Sequence, residues 1–373
     1  MGSVSIIGGI VPYEIEFFRV GDGASNGDAI LIHWWDGQAW HIGIVDGGYE
    51  DTGWEMVEHI HRWYSEKPII DFVVSSHPDN DHMSGLRVIM SELPVRELWM
   101  HVPWVHADRI LHLFRSRRWT EDGLVRELRR QYNYVVELVD LTQKQGTQIK
   151  FPFEGQKIGP FTVLSPTVEM YEGLLPQFRD TPRPDQDMLQ TLGHWITGIG
   201  RRISKAILKD IPELWDKETL REGGITSAEN ESCVVLLGDL GAGNIFLTAD
   251  AGLRALYASV NYAHQQQISL DPLWLFQAPH HGSRNNISPS MLDYIIGPPV
   301  QEGQTRSPHC IVSAGKEDEN HPRQVVVNAL WRRGLKPQVT RNGLIRYQSG
   351  LKQRDGWTTV PPIPFSTAVE RYD

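Results

Sequence analysis

Residues 76–82 read Ser-His-Pro-Asp-Asn-Asp-His, so His77, Asp79, Asp81 and His82 fall within six consecutive positions. Imidazole nitrogens mixed with carboxylate oxygens suit Zn, Mn or Fe(II), and the added carboxylates make the set oxygen-rich enough for Mn. Alternate side chains of an extended segment point the same way, so such a loop can aim these groups at two adjacent ions. A solvated turn would also use Pro, Asn and Asp, but it has no need of flanking histidines. Two later stretches end in the same kinds of group. Residues 244–250 run Asn-Ile-Phe-Leu-Thr-Ala-Asp and finish on Asp250, and residues 273–279 deliver His280-His281-Gly282-Ser283. Asp46 closes a third apolar run, where it could orient a metal-bound histidine or cap a turn. His321, before Pro322, is a candidate general acid, phosphate contact or helix cap.

These groups need strands to deliver them. Residues 13–20, 29–35 and 40–45 alternate as strands separated by Gly21-Asp22-Gly23 and Asp36-Gly37, the punctuation of antiparallel hairpins. Residues 54–64 carry helical spacing, 69–75 form the apolar strand that leads to His77, and 83–93 form a helix with Asp81 and His82 near its start. A short strand (97–102) and a basic helical region (109–132) follow. Within the latter, Arg115, Arg117, Arg118, Arg126, Arg129 and Arg130 are interspersed with Glu121, Asp122 and Glu127, the pattern of a solvated helix face; contact with a phosphate backbone is the sharper reading. Residues 135–166 read as short strands. Residues 167–228 break the pattern with Pro176, Pro182 and Pro184, then read as helical over 192–220 with Arg201, Arg202, Lys205 and Lys209. This stretch is expected to be an insertion, a lid or specificity element, within a single domain spanning 1–373. Strands return at 230–237 and 310–313, with helices at 251–263 and 323–333 and a last strand at 344–347.

The bulk composition narrows the function classes. With 40% hydrophobic and 22% charged residues the chain is of globular type. Lys+Arg 36 against Asp+Glu 46 gives a net charge of −10, which argues against a generic nucleic-acid coat and leaves local basic patches open. The two cysteines, Cys233 and Cys310, are too far apart to suggest a disulfide scaffold or a thiolate zinc site. The first ten residues lack the basic segment of a signal peptide, and no apolar run reaches the length of a membrane span, so the expected location is cytoplasmic.

The order of these stretches resembles the metallo-β-lactamase superfamily, and more narrowly the soluble hydrolase domain of the competence protein ComEC. The resemblance is carried by Val20-Gly21 with Gly27-Asp28-Ala29-Ile30-Leu31-Ile32, by Ile44-Val45-Asp46-Gly47-Gly48, and by residues 76–82 followed by Ser84-Gly85-Leu86. It continues through Asn230 and Ser232, Thr248-Ala249-Asp250, His280-His281-Gly282-Ser283, Ser313-Ala314-Gly315 and Asn320-His321-Pro322. It covers nearly the whole chain apart from the insertion, and it uses the His-x-Asp-x-Asp-His variant of the commoner His-x-His-x-Asp-His.

The resemblance implies an α+β fold, a four-layer αββα sandwich with the site at the strand ends, and two divalent metal ions, Zn or Mn with Fe as a further option. It implies that Asp81 and His82 serve the second metal position together with one of His280 and His281, that Asp250 bridges, and that His77 and Asp79 form the first position. Asn230 and Ser232 stand where relatives with a full first site supply another histidine, so the first position is expected to be the poorer one. Asp81 and His321 are the candidate catalytic residues. The implied activity is metal-dependent hydrolysis by a metal-activated hydroxide. A phosphodiester in nucleic acid or a nucleotide is the favoured substrate, a lactone, amide or thioester the alternative, and an inactive binding module the third reading.

Overall fold

The computed structural model describes residues 11–21, 23, 25–117, 119–184 and 210–372. Alternation along the first strands decides how they stack. In β1 (Tyr13–Phe17), Tyr13, Ile15 and Phe17 face one way, as do Ile30 and Ile32 in β2 (Ala29–Trp35), while Leu31 and, in β3 (Trp40–Gly47), Ile42 and Ile44 face the other. Both faces are apolar, so both must be covered. The chain continues through β4 (Ile70–Val74), β5 (Val95–Trp99), β6 (Gln148–Lys150), β7 (Lys157–Ile158), β8 (Phe161–Ser165), β9 (Asp210–Pro212), β10 (Val235–Asp239) and β11 (Asn244–Leu247). It ends with β12 (Leu273–Gln277), β13 (His309–Val312), β14 (Pro337–Val339), β15 (Ile345–Ser349) and β16 (Ala368–Glu370).

Among the described residues these strands form two seven-stranded sheets, in the orders β15-β1-β2-β3-β4-β5-β6 and β14-β13-β12-β11-β10-β8-β7, with β9 and β16 paired separately. Ile15, Ile32, Phe72, Val74, Val163, Leu236, Leu275 and Ile311 fill the space between the sheets. Helices α1 (Glu50–Trp63) and α2 (Asn80–Glu92) cover the outer face of the first sheet, and helices Leu253–Gln265 and Gln324–Arg332 that of the second. The layers are αββα, as expected.

Each sheet changes from antiparallel to parallel. β3-β4-β5-β6 run parallel in the first sheet and β11-β12-β13-β14 in the second. The carboxyl ends of parallel strands open a crevice where loops can carry function. Helix α2 is held there by direct backbone contact: Gly85 N–H donates to the Gly48 carbonyl (2.8 Å), and a Cβ at Gly85 would lie 2.0 Å from the Gly47 carbonyl oxygen. Only glycine allows that approach, and it sets the position of Asp81 and His82 at the start of the helix.

Two local expectations are corrected. Residues 133–145 form a helix rather than strands, because Val135, Leu138 and Thr142 make a buried stripe at helical spacing that outweighs the β-branched content. In the stretch read as helical over 192–220, residues 192–209, including Arg201, Arg202, Lys205 and Lys209, lie outside the described residues. From 210 onward the chain is not helical; β9 pairs antiparallel with β16, a partner more than 150 positions away in sequence. Of the basic region at 109–132, Arg118 lies outside the described residues, Arg130 pairs with Glu127 (2.6 Å) and Arg129 stacks on Trp104.

The outer face of β1 carries carboxylates instead of apolar groups. Glu14 is contacted by His33 Nδ1 (3.0 Å), by Arg354 Nη2 (3.0 Å) and by Arg346 Nε. Burial would raise its carboxyl, but the His33 hydrogen bond and the two guanidinium charges outweigh burial and lower it from 4.5 to about 2. A depressed carboxylate contributes stability above its unfolded pKa and loses it as pH falls through the folded one. The expected contribution is on the order of 3 kcal/mol at neutral pH. Urea unfolding of wild type and Glu14→Gln across pH 2–7 should show a stability gap that closes between about pH 4.5 and pH 2; a gap independent of pH would contradict the assignment.

Candidate metal centre

The crevice collects residues from five strand ends. Asp46 lies at the end of β3, His77 follows β4, Asp250 follows β11, His280 and His281 follow β12, and Ser313 follows β13. Asp81 and His82 come from the first turn of α2 and His77 from a bend after β4, so the convergence at residues 77–82 rests on a bend and a helix start rather than on strand alternation. The backbone is bent sharply there. Among the described residues, Asp46, Ala249, His280 and His281 are four of the five non-glycine residues with positive φ (56°, 45°, 47° and 58°). Such conformations cost about 1–3 kcal/mol each and cluster where a side chain must be aimed.

The Asp250 carboxylate, almost fully buried, is the focus. His82 Nε2 and His281 Nε2 lie 3.6 and 3.5 Å from its Oδ1, and His280 Nε2 and His77 Nε2 lie 3.4 and 4.0 Å from its Oδ2. The two carboxylate oxygens thus face separate pairs of imidazoles. Asp81 joins the first pair, with Oδ2 3.9 Å from His82 Nε2, and Asp79 joins the second, with Oδ2 3.8 Å from His77 Nε2. Both tandem histidines reach the Asp250 carboxylate, His280 at Oδ2 and His281 at Oδ1. Asn230 sits in the short helix Ala228–Glu231, its amide 3.3 Å from His280 Nδ1.

The other ring nitrogen of each histidine is engaged. His82 Nδ1 donates to Asp46 Oδ2 (2.8 Å) and His281 Nδ1 to the Ser313 carbonyl (3.0 Å). His280 Nδ1 meets Asn286 Oδ1 (2.9 Å), and the Asn286 amide donates to the Asp250 carbonyl (3.0 Å). His77 Nδ1 meets Ser76 Oγ (3.0 Å), whose hydroxyl donates to Asp46 Oδ2 (2.6 Å). Asp46 therefore orients His82 directly and His77 through Ser76, while also accepting from the Ser76 N–H (2.8 Å). With Nδ1 acting as donor, Nε2 is in each ring the nitrogen that could bind a cation beside Asp250. His77 Nε2, His82 Nε2 and Asp250 Oδ1 are buried without a hydrogen-bond partner. Buried polar atoms are seldom left so. This donor set fits divalent cations, and the groups His77–His82–Asp250, Asp81–His82–His281 and Asp250–His280–His281 could each hold one.

The same groups perturb one another's protonation. Burial would raise Asp250, but the charges of His280, His281 and His82 hold it well below the usual carboxylate range. Burial opposes a proton on His82, yet Asp250, Asp46 and Asp81 together raise it well above an ordinary histidine. His281 goes the other way, down to about 3, because burial and the neighbouring His280, His82 and His321 exceed the attraction of Asp250. Behind Asp46, the fully buried Asp28 is pushed up to about 7 by burial, with Asp250 and Asp46 adding to the effect.

His321 does not join the ring around Asp250. Its ring stacks 6.2 Å from His280, and its Nδ1 meets Asp318 Oδ2 (2.8 Å), which leaves Nε2 as the nitrogen available for proton transfer. The spacing of three between Asp318 and His321 was visible in the sequence as a signal for this pairing. Asn286 and Arg179 carried no such signal; both meet the site only through the fold. No helix among the described residues is long and apolar enough to cross a membrane.

No family model and no curated protein sequence matches the chain. Among solved structures it is similar to the metallo-beta-lactamase fold protein YhfI from Bacillus subtilis, at 12% identity over 91% of this chain and 100% of that one, with a TM-score of 0.40. It is also similar to a beta-lactamase domain protein from Burkholderia ambifaria, at 18% identity over 40% of this chain and 44% of that one, with a TM-score of 0.21. By its own strand order and layers, the chain is a mixed α/β protein built as an αββα sandwich, with a cluster of His and Asp residues able to hold metal at its strand ends.

Proposed function

We propose that this chain is a metal-dependent hydrolase that cleaves a phosphodiester bond in a nucleic acid or nucleotide. The observation that carries the reading is the convergence of four Nδ1-anchored imidazoles on the two oxygens of one buried carboxylate. Asp81, His82 and His281 would hold one divalent cation beside Asp250 Oδ1; His77, Asp79 and His280 would hold the other beside Oδ2. Two cations bound so supply a water acidified towards neutral pH and stabilise the attacking and leaving oxygens of a phosphoester together. The chain's own part is to fix the imidazole tautomers through Asp46, Ser76, Asn286 and Ser313 and to keep Asp250 ionised. Asp81, the more exposed carboxylate of its cluster, faces the reacting water in this reading. His321 Nε2 would take a proton released by the attacking water and pass it to the leaving oxygen, while Asp318 holds Nδ1.

The test is elemental analysis of the purified protein beside a substrate panel. Cleavage of bis-(p-nitrophenyl) phosphate or DNA, strictly dependent on Zn or Mn, is expected. Turnover of lactone or β-lactam substrates with no phosphodiester cleavage would reject the substrate class while keeping a hydrolase. Asp46→Asn should weaken divalent-cation affinity by about 10–100-fold, the usual effect of losing a carboxylate behind a ligand histidine. A chelator competition titration measures it, and the left-handed backbone at residue 46 (φ 56°) is one that asparagine tolerates.

A further inference from the structure

Arg179 stands at the rim of this site with no part in the assignment above. It follows helix Val168–Leu174 and the single turn Leu175–Gln177. Its backbone N–H and its Nε both donate to Oε1 of the buried Glu229 (2.6 and 3.0 Å), which fixes one edge of the guanidinium. Beside it, Nη2 points at the centre, 2.5 and 2.6 Å from the two oxygens of Asp79, and Asp79 Oδ2 is 3.8 Å from His77 Nε2. The Arg179 side chain is 63% exposed, so the guanidinium stands between solvent and the metal-binding groups, one carboxylate's width from them.

In the proposed site the charge of two divalent cations is largely offset by Asp46, Asp79, Asp81 and Asp250, and the chain as a whole carries −10, so little net attraction is left for an anionic substrate. A fixed guanidinium offset from the cations adds a positive charge with directed N–H donors suited to a phosphate oxygen. We propose that Arg179 is the residue that recognises an anionic phosphodiester, binding a non-bridging phosphoryl oxygen with Nη1 while Glu229 holds Nε and Asp79 holds Nη2. Asp79 has lone pairs for both a cation and the arginine, so it couples the two. The inference rests on the phosphodiesterase reading and adds to it the residue that selects for charge.

Calorimetric titration of inorganic phosphate into the cation-loaded protein tests it, comparing wild type with Arg179→Gln, Arg179→Lys and Glu229→Gln. Phosphate Kd should rise roughly tenfold or more in Arg179→Gln. It should rise less in Arg179→Lys, which keeps the charge without the fork, and less in Glu229→Gln, which loosens the anchor. Metal content per chain and thermal midpoint should stay at wild-type values in Arg179→Gln. An unchanged Kd in that variant overturns the assignment, as does a rise that accompanies loss of a cation. Phosphodiester turnover by wild type with an unchanged Kd in Arg179→Gln leaves the hydrolase reading standing and removes only this one; absence of phosphodiester turnover removes both.

Discussion

Asp250→Asn should empty the metal centre and reduce hydrolysis by far more than ~100-fold, the upper range for losing a group one shell removed from a metal. The reason is geometric. Each oxygen of this carboxylate serves a different pair of imidazoles, at 3.5 and 3.6 Å on one side and 3.4 and 4.0 Å on the other. Asparagine keeps the shape but replaces one anionic oxygen with an NH2 that faces imidazole lone pairs, so one cation loses its ligand outright and the other its charge compensation. The same change should leave the fold intact, because the Asp250 main-chain carbonyl that Asn286 binds (3.0 Å) is untouched. Metal content by elemental analysis, turnover and the thermal midpoint of the metal-free protein separate these effects. Undiminished turnover and metal content in the pure Asp250→Asn protein would sink the whole site assignment. Asp81→Ala should lower turnover too, but with one cation retained, since the ligands around Asp250 Oδ2 do not include it.

The second large effect is one of stability, far from the chemistry. Arg332 and Glu213 are a fully buried ion pair, with side chains 2% and 0% exposed. Arg332 also donates from Nε to the Trp215 carbonyl (2.8 Å) and from Nη2 to the Leu214 carbonyl (2.5 Å), while Glu213 accepts from Thr219 and from Asn328 (3.4 Å). The pair ties residues 213–219 to helix Gln324–Arg332 on the outer face of the second sheet. Glu213→Ala strands a buried guanidinium and should cost about 3–5 kcal/mol in urea unfolding, whereas replacing both partners with apolar residues of similar volume should cost much less. Metal content of the folded fraction should not change. A loss below about 1 kcal/mol would mean that the pair is hydrated, as surface pairs are. Set beside Asp250→Asn, this variant separates a defect in folding from a defect in the site.

Much of the fold was legible in the sequence because its signals are short-range. Alternation at residues 13–20, 29–35 and 40–45 marks half-buried or fully buried strands whatever they later pair with, and Gly-Asp-Gly and Asp-Gly mark their turns. Helix 133–145 was misread because Val135, Val136 and Val139 favour a strand locally, and the burial that reverses the preference comes from packing against α2 and the first sheet. The short strand β9 could not be found at all, since its only partner among the described residues is β16, more than 150 positions further on.

The site divides along the same line. The sequence by itself determined which residues could do chemistry: His77, Asp79, Asp81, His82, Asp250, His280 and His281 are metal-ligand types placed at the ends of apolar runs, and that requires only composition and period. Tertiary structure alone decided their roles relative to one another. It turned both His280 and His281 towards Asp250 through two successive left-handed residues, one towards each carboxylate oxygen. It brought Asn286 behind His280 and set Arg179, 100 positions from Asp79, against that carboxylate. The physical reason is that ligand type is a property of a side chain, whereas which oxygen of Asp250 each imidazole faces depends on how two sheets stack, and no local pattern records that.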